Sequence, residues 1–194
     1  GAYIATEGSL ALWGYTVAIG SLMAALLSPV LGAIADFRGS KKKFLAFFAG
    51  LGILSTALLF FIDTPEEWLL CCILYILGTI GFAGSLVFYD SLLPHVARED
   101  EIDQVSSRGY ALGYIGGGIL LLINVVMIFF GPRLTPNLGE RAATMLWMRL
   151  SLASVALWWG IFSIPLFRRV QEPVRMAEAS EVGANVWKVS FARF

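Results

Sequence analysis

Residues 10–43 read LALWGYTVAIGSLMAALLSPVLGAIADFRGSKKK, and this stretch decides the fold. Residues 10–35 carry no charged side chain, and charge returns at Asp36. A helix needs about 20 mostly apolar residues to cross the hydrocarbon core of a bilayer. In lipid a helix satisfies its backbone hydrogen bonds within its own segment, which an isolated strand does not. We therefore predict a transmembrane helix that ends at a charged turn.

Four further blocks have the same character. Residues 44–62, 68–89 and 109–131 are uncharged, and residues 146–167 carry only Arg149 near their start. Hydrophobic residues make up 58% of the 194-residue chain and charged residues 14%, whereas a soluble domain is about a quarter charged. The predicted fold class is all-α, a polytopic membrane helix bundle with five spans embedded in the lipid bilayer.

Basic residues predict the orientation of the bundle, because Lys and Arg are retained on the cytoplasmic side of a membrane. Eleven of the 14 basic residues fall on the side that holds residues 37–43, 90–108 and 168–194, and three fall on the other side. We expect a multi-pass protein of the cell (plasma) membrane. Residues 1–9 would be extracytoplasmic and residues 168–194 a cytoplasmic linker toward a missing C-terminal half. A chain that begins outside also predicts an earlier span.

The remaining composition argues against several function classes. The formal net charge is zero, so no nucleic-acid partner is expected. The spans offer no convergent His, Asp, Glu or Ser groups such as a catalytic site requires, so we expect no enzyme, catalytic residue, metal site or cofactor. The two cysteines, Cys71 and Cys72, are adjacent within a span and are predicted to be packing residues.

Small residues mark three predicted helix-packing faces. Gly109, Gly113 and Gly117 recur every four residues in the fourth span, a spacing that lets helices approach closely in lipid. Static packing and a flexing helix both remain open for these glycines. A second face, on the third span, comprises Gly78, Gly81 and Ser85. The third lies on the first span and comprises Gly14, Ser21, Ala25, Ser28 and Gly32.

Pro94 is predicted to end the third helix, because proline cannot donate a backbone hydrogen bond. The residues after it mix Val96, Ile102 and Val105 with acidic side chains. This pattern indicates a short surface helix at the membrane interface, with a solvated acidic linker as the alternative.

The turn at residues 32–43, GAIADFRGSKKK, resembles the signature loop of the major facilitator superfamily of membrane transporters. That loop has a glycine, an aspartate four residues later, a glycine three further on, and then basic residues. Phe37 and Ser40 stand where the family usually has basic residues. The residues assigned to the loop are Gly32, Asp36, Arg38, Gly39, Lys41 and Lys42. In the family this loop acts as a latch between two halves of the transporter.

Three further stretches narrow the resemblance: FYDSLLP at 88–94, IDQVSSRGYALGYIGG at 102–117, and RLS at 149–151. Together they are similar to the bacterial relatives of the vacuolar amino-acid effluxers, although Asp90 stands where Asn is expected. The resemblance implies that the spans match the second to sixth helices of a twelve-helix transporter. It also implies alternating access, a small polar solute such as an exported amino acid, and a C-terminal half as partner.

Polar residues within spans are the candidates for the solute cavity. Asn124 could line it or could hydrogen-bond another helix. Arg149 could bind a substrate carboxylate, pair with an acid from the missing half, or extend to the outer interface. Tyr15 and Tyr75 are further candidates. The alternative to a transporter is a membrane scaffold or assembly protein, which the scarcity of intramembrane charge would also suit.

Overall fold

The computed structural model describes residues 6–37 and 40–171, and within them the regular structure is helical. The five long helices are α1 (Thr6–Phe37), α2 (Lys41–Leu58), α3 (Trp68–Val96), α4 (Ile102–Leu134) and α5 (Glu140–Arg169). Single 3₁₀ turns lie at Leu59–Phe61, Pro65–Glu67 and Pro136–Leu138. Within the described residues, five helices are long and apolar enough to cross a membrane, so the predicted fold class is confirmed. Outside the described residues lie residues 1–5, Arg38, Gly39 and the segment from residue 172 onward, together with the side chains of Asp36 and Phe37. The predicted roles of Asp36, Arg38 and Gly39 in the signature loop stay predictions.

The prediction for Pro94 was wrong. Pro94 lies inside α3, which continues to Val96, and α4 already begins at Ile102. No separate surface helix forms between them in the described chain, since residues 102–108 are the first two turns of α4. The physical reason is position: Pro94 lacks the N–H that would donate to the Asp90 carbonyl, but only two helical residues follow it, so little helix remains to be interrupted.

Helix α3 lies at the centre of the packing. It runs along both α1 and α2, while α5 packs on α4 and on α2. By contrast, α3 and α4 scarcely touch. The bundle therefore consists of an α1–α2–α3 layer and an α4–α5 pair joined mainly through α2 and α5, with a gap between α3 and α4.

An apolar core holds the ends of α1, α2 and α3 together near the lysine-rich turn. Phe88 is fully buried there. Its ring stacks on Phe44 and Phe48, with centroid distances of 5.1 and 5.9 Å. The other buried members of this cluster are Leu31, Ala35, Leu45 and Leu92. Paired aromatic rings add to packing beyond the area they bury.

The α2–α3 contact depends on glycine. A Cβ atom on Gly81 would lie 2.7 Å from Gly52 Cα and 2.8 Å from the Phe48 carbonyl oxygen. Both neighbours are backbone atoms and cannot rotate away. The predicted packing face of the third span is thus confirmed at Gly81, where two helix backbones touch directly, as small residues permit in lipid.

The predicted packing face of the first span makes no close contact within the described residues and stays a prediction. Helix α1 buries Thr16, Gly20, Leu31 and Ala35, whereas Gly14, Ser21 and Ala25 are exposed. A Cβ atom built on Gly14 or Gly32 would meet no atom within 4 Å. The contact face of α1 therefore mixes the small residues Gly20 and Ala35 with Thr16 and Leu31.

We predict that Gly81→Ala destabilises the protein. A methyl group there must force α2 and α3 apart, and overpacking of this kind costs about 1–3 kcal/mol. The matched control is Gly50→Ala on α2, an exposed position where a Cβ meets nothing within 4 Å. Since alanine favours helix over glycine by about 1 kcal/mol, the control should be neutral or stabilising. Thermal unfolding in detergent measures both, and equal melting temperatures would contradict the backbone contact.

Candidate functional site

The two ends of the bundle carry different basic residues: among the described residues, the lysines all lie at one end, and the other end has arginines only. The lysine end comprises the C-terminal ends of α1, α3 and α5 together with Lys41–Lys43 and the α3–α4 turn. The arginine end comprises the α2–α3 turn, the α4–α5 turn and the N-terminal turns of α5, which contain Arg141 and Arg149. The predicted assignment of the lysine end to the cytoplasm stays a prediction.

At the lysine end, two signature-loop lysines bind the ends of neighbouring helices. Lys41 Nζ donates to the Ser91 carbonyl at 3.0 Å and lies 3.2 Å from His95 Nε2. Lys42 Nζ donates to the carbonyls of Phe167, at 3.0 Å, and Val170, at 2.6 Å. Phe167 lies in the last turn of α5 and Val170 follows that turn, where carbonyls lack intrahelical partners and carry the negative end of the helix dipole. The start of α2 thereby fixes the C-terminal ends of α3 and α5.

The gap between α3 and α4 forms a cavity of about 590 Å³ in the half of the bundle nearer the lysine end. We call it the tyrosine cavity, because Tyr89, Tyr110 and Tyr114 line it. The rest of its wall is mainly apolar and aromatic, including Phe82, Trp159 and Phe162. The sequence prediction missed these residues. The signal available was a tyrosine pair four residues apart, at 110 and 114, interleaved with the glycines of α4.

The glycine seam of α4 lies along this gap. Gly109 and Gly113 line the tyrosine cavity. A Cβ atom on Gly113 or Gly117 would meet nothing within 4 Å, and on Gly109 it would meet only the Tyr89 hydroxyl, at 3.5 Å. Within the described residues, no helix packs closely against the seam. Its predicted role in helix packing stays a prediction for a neighbour that these residues do not include.

Asp90 lies at the mouth of the gap. Both of its carboxylate oxygens are 3.3 Å from the Tyr110 hydroxyl, which donates to them across the α3–α4 gap. This long hydrogen bond is the direct polar link between α3 and α4 that the described residues provide. It joins a carboxyl group to the wall of the tyrosine cavity.

The predicted cavity residues do not converge on one site. Asn124 Oδ1 accepts a hydrogen bond from Ser154 Oγ at 2.8 Å, linking α4 to α5. The Tyr75 ring packs against Trp13 with centroids 4.7 Å apart, between α3 and α1. Tyr15 is 68% exposed on the outer surface of α1. None of the three lines the tyrosine cavity or the second cavity described next.

The second cavity, of about 600 Å³, lies at the arginine end, and we call it the arginine cavity. Its charged lining residues are Asp63, Glu140, Arg141 and Arg149. Arg149 Nη1 lies 3.5 Å from Asp63 Oδ2, and its guanidinium sits 5.4 Å from the centre of the Phe60 ring. Asp63 is the partner that sequence reasoning missed, because the pairing depends on how the α2–α3 turn folds.

Glu67 shapes that turn. Its Oε2 accepts hydrogen bonds from the backbone N–H groups of Asp63, at 2.9 Å, and Thr64, at 3.2 Å. The reciprocal arrangement is a capping box at Thr64–Glu67, which satisfies free N–H groups at a helix start. With its backbone held in this way, Asp63 projects its carboxylate toward Arg149 on α5.

The titratable side chains of residues 6–37 and 40–171 do not gather into a metal site. No group of three or more His, Cys, Asp or Glu side chains in these ranges could hold a metal ion. Both thiols are free, and Cys72 Sγ accepts a hydrogen bond from Thr16 Oγ1 at 3.1 Å, between α3 and α1. The tyrosine cavity, with its aromatic wall, and the arginine cavity, with its charged wall, are both concave surfaces on which a ligand could sit.

Comparisons with known proteins give a consistent picture. A family model described as "Vacuole effluxer Atg22 like" matches residues 3–194. YxiO of Bacillus subtilis (strain 168), named an uncharacterized MFS-type transporter, is 39% identical over 95% of this chain and 42% of its own length. Autophagy-related protein 22 of Coccidioides immitis (strain RS) is 26% identical, over 78% of this chain and 32% of the relative. No solved structure matches the chain. The chain therefore spans less than half the length of these relatives.

We predict that Lys42→Met destabilises the protein by about 1–2 kcal/mol, because charge-assisted hydrogen bonds to the end of α5 are lost. Lys43→Met is the matched control, since Lys43 is the next residue of α2 and its side chain is exposed. Thermal unfolding in detergent at low and high salt compares the two. Equal effects of both substitutions would show that general basic charge, and not the cap on α5, matters at this end.

Proposed function

The chain belongs to the Atg22-like vacuole effluxer family, and from this premise we propose that it forms part of a secondary transporter that moves a small polar solute across a membrane. Both the family description and the name of YxiO denote transport, in agreement with the resemblance seen in the sequence. Amino-acid efflux by alternating access is the specific activity we propose.

The observation that carries this proposal is the open face of the bundle. Helix α4 scarcely contacts α3, and it exposes its glycine seam and Tyr114, which is 80% accessible. Helix α1 likewise exposes small residues, including Gly14, Ser21 and Ala25. Small residues in lipid are interface residues. We infer that a second helical bundle, the C-terminal half of the same transporter, covers α1 and α4.

A solute path would then run between the two bundles. Transporters of this kind bind solute near the bilayer midplane and expose it alternately to each side as one bundle rocks against the other. Within the described bundle, α3 packs on α1 and α2, and lysine side chains hydrogen-bond the ends of α3 and α5. These contacts would let the helices move together as one unit. Asn124, Tyr15 and Tyr75 remain our candidates for contact with solute along that path, together with Arg149 at its end.

A scaffold or assembly protein is the competing function. The scarcity of charge within the spans favours it, since span centres without ionisable groups lack an obvious proton relay. Transport is the better-supported function because the family description and the name of YxiO both denote it.

The test is solute flux. The complete gene product, reconstituted into vesicles loaded with an unlabelled amino-acid mixture, should accumulate labelled external amino acids by exchange. Empty vesicles and vesicles with a heat-inactivated sample serve as controls. Absence of exchange for all twenty amino acids, with a correctly inserted and monodisperse protein, would contradict amino-acid transport and leave the scaffold function as the better account.

Helix α4 supplies a variant for the same assay. Gly113→Leu should lower the exchange rate several-fold, because it places a large side chain on the open face of α4, where we expect solute or the second bundle to lie. Gly160→Leu on α5 is the matched control, since a Cβ there also meets nothing within 4 Å and Gly160 does not line the tyrosine cavity. Equal exchange rates for the two variants would contradict a working role for that face.

A further inference from the structure

We propose that the arginine cavity binds a small zwitterionic ligand, with the ligand's carboxylate on Arg149 and its ammonium group on Asp63. This inference rests on the proposed transport function, because it assigns the cavity to the transported solute at the arginine end of the bundle. The argument starts from the two charged side chains and the way each is held.

Arg149 is incompletely satisfied by its contacts within the described residues. It approaches Asp63 with one nitrogen, at 3.5 Å, and its Nε is buried without a hydrogen-bond partner. The guanidinium otherwise lies over the Phe60 ring. Arginine binds a carboxylate most strongly through two parallel N–H···O bonds at about 2.7–2.9 Å. A free carboxylate that enters the cavity can adopt that geometry, whereas the Asp63 carboxylate, fixed on its turn, makes one long contact.

Asp63 is held in place and remains accessible. Its backbone N–H is bound by Glu67, which fixes the turn. Its carboxylate side chain is nevertheless 61% exposed, against 23% for Arg149. An exposed ion pair of this kind contributes little to stability, about 0–1 kcal/mol. Exchanging it for contacts with a ligand is therefore a small loss, and it leaves Asp63 free to bind a cation.

Charge balance selects the class of ligand. The cavity lining contains two arginines, Arg141 and Arg149, and two carboxylates, Asp63 and Glu140. A simple anion would leave the carboxylates facing it, and a simple cation would leave the arginines facing it, both unfavourable between like charges. A ligand with one carboxylate and one ammonium group complements both sets. The remaining wall includes Leu138, Met145 and Leu146, which can contact an apolar substituent on that ligand.

Ligand binding at this site would also act on the fold. The Asp63–Arg149 contact joins the α2–α3 turn to α5 at the arginine end. A zwitterion inserted between the two side chains separates them and replaces a direct contact with a bridged one. Since a ligand shifts a conformational equilibrium only through differential contacts in the two states, this exchange gives bound solute a means to loosen that end of the bundle.

The experiment measures binding without a gradient. The complete gene product in lipid nanodiscs is titrated with labelled leucine, alanine and phenylalanine. Two competitors test the charge requirement for leucine: 4-methylpentanoate, which lacks the ammonium group, and 3-methylbutylamine, which lacks the carboxylate. We expect saturable binding of at least one amino acid, and competition by each leucine analogue at least about tenfold weaker than by leucine, since each loses one charge-assisted contact.

Four variants locate the site. Arg149→Gln and Asp63→Asn should each weaken amino-acid binding about tenfold or more, and Arg149→Lys should weaken it less, because lysine keeps the charge but not the forked geometry. Arg133→Gln is the matched control: Arg133 is an exposed arginine of the same end, stacked on Phe130 and outside the cavity lining. Should Arg149→Gln fail to fold, the comparison of Arg149→Lys and Asp63→Asn with this control decides.

The outcomes separate this inference from the transport proposal. Unchanged affinity in Arg149→Lys and Asp63→Asn overturns the site, even when flux is intact. Equal competition by 4-methylpentanoate and leucine overturns the zwitterion and leaves an anion site in its place. If none of the three amino acids binds, the inference of a zwitterion site is overturned as well. Binding that follows the expected pattern without any flux in vesicles supports the site and contradicts transport.

Discussion

The absence of water in the hydrocarbon core is the constraint on which the rest of this structure depends. It forces each uncharged block into a helix, because only a helix satisfies its backbone groups locally there. It also removes the hydrophobic effect as a force between helices, so close packing must hold them together. The contact of α2 with α3 at Gly52 and Gly81, where backbone meets backbone, is the clearest consequence. Around that contact the aromatic stack of Phe88, Phe44 and Phe48 closes the core.

Backbone groups near the helix ends are hydrogen-bonded by lysines at one end of the bundle and by a glutamate at the other. At the lysine end, Lys41 and Lys42 donate to carbonyls near the ends of α3 and α5, so one short turn stabilises two neighbours. At the arginine end, Glu67 caps the turn before α3, and Asp63 of that turn forms a long ion pair with Arg149 of α5. Helix α5 at the arginine end also packs on the turns at Leu59–Phe61 and Pro136–Leu138, and Trp147 Nε1 donates to Thr135 Oγ1 at 3.2 Å. The lysine end thus joins its helices mainly through lysine hydrogen bonds, and the arginine end through packing, one side-chain hydrogen bond and one long ion pair.

Much of the fold could be predicted from sequence because the bilayer imposes a length and a composition on each helix. The details that were missed or stay open depend on packing. Pro94 did not end α3, since its position in the last turn costs only one hydrogen bond. The contact face of α1 comprises Thr16, Gly20, Leu31 and Ala35, and a pattern of small residues alone could not distinguish a buried face from an open one. The partner of Arg149 was hidden in the same way, because it depends on the turn that Glu67 folds.

The candidate site was less predictable still. The tyrosine cavity exists because α3 and α4 diverge. The spacing of apolar residues along either helix does not reveal that the two helices diverge. Asn124 was singled out as a polar residue in mid-span, and the alternative of a hydrogen bond to another helix is the contact that the structure contains, with Ser154. The glycines of α4 were recognised as unusual, yet whether a glycine seam is covered depends on chain beyond the described residues.

Cysteine accessibility in intact cells tests the central claim, five spans with the lysine and arginine ends on opposite faces of the membrane, most directly. Cys71→Ala and Cys72→Ser remove the two thiols of this chain. One exposed thiol is then added, either at the lysine end by Lys43→Cys or at the arginine end by Glu66→Cys. An impermeant maleimide added outside should label Glu66→Cys and should label Lys43→Cys only after the cells are opened. Labelling of both positions from outside, or of Lys43→Cys alone, would contradict the account.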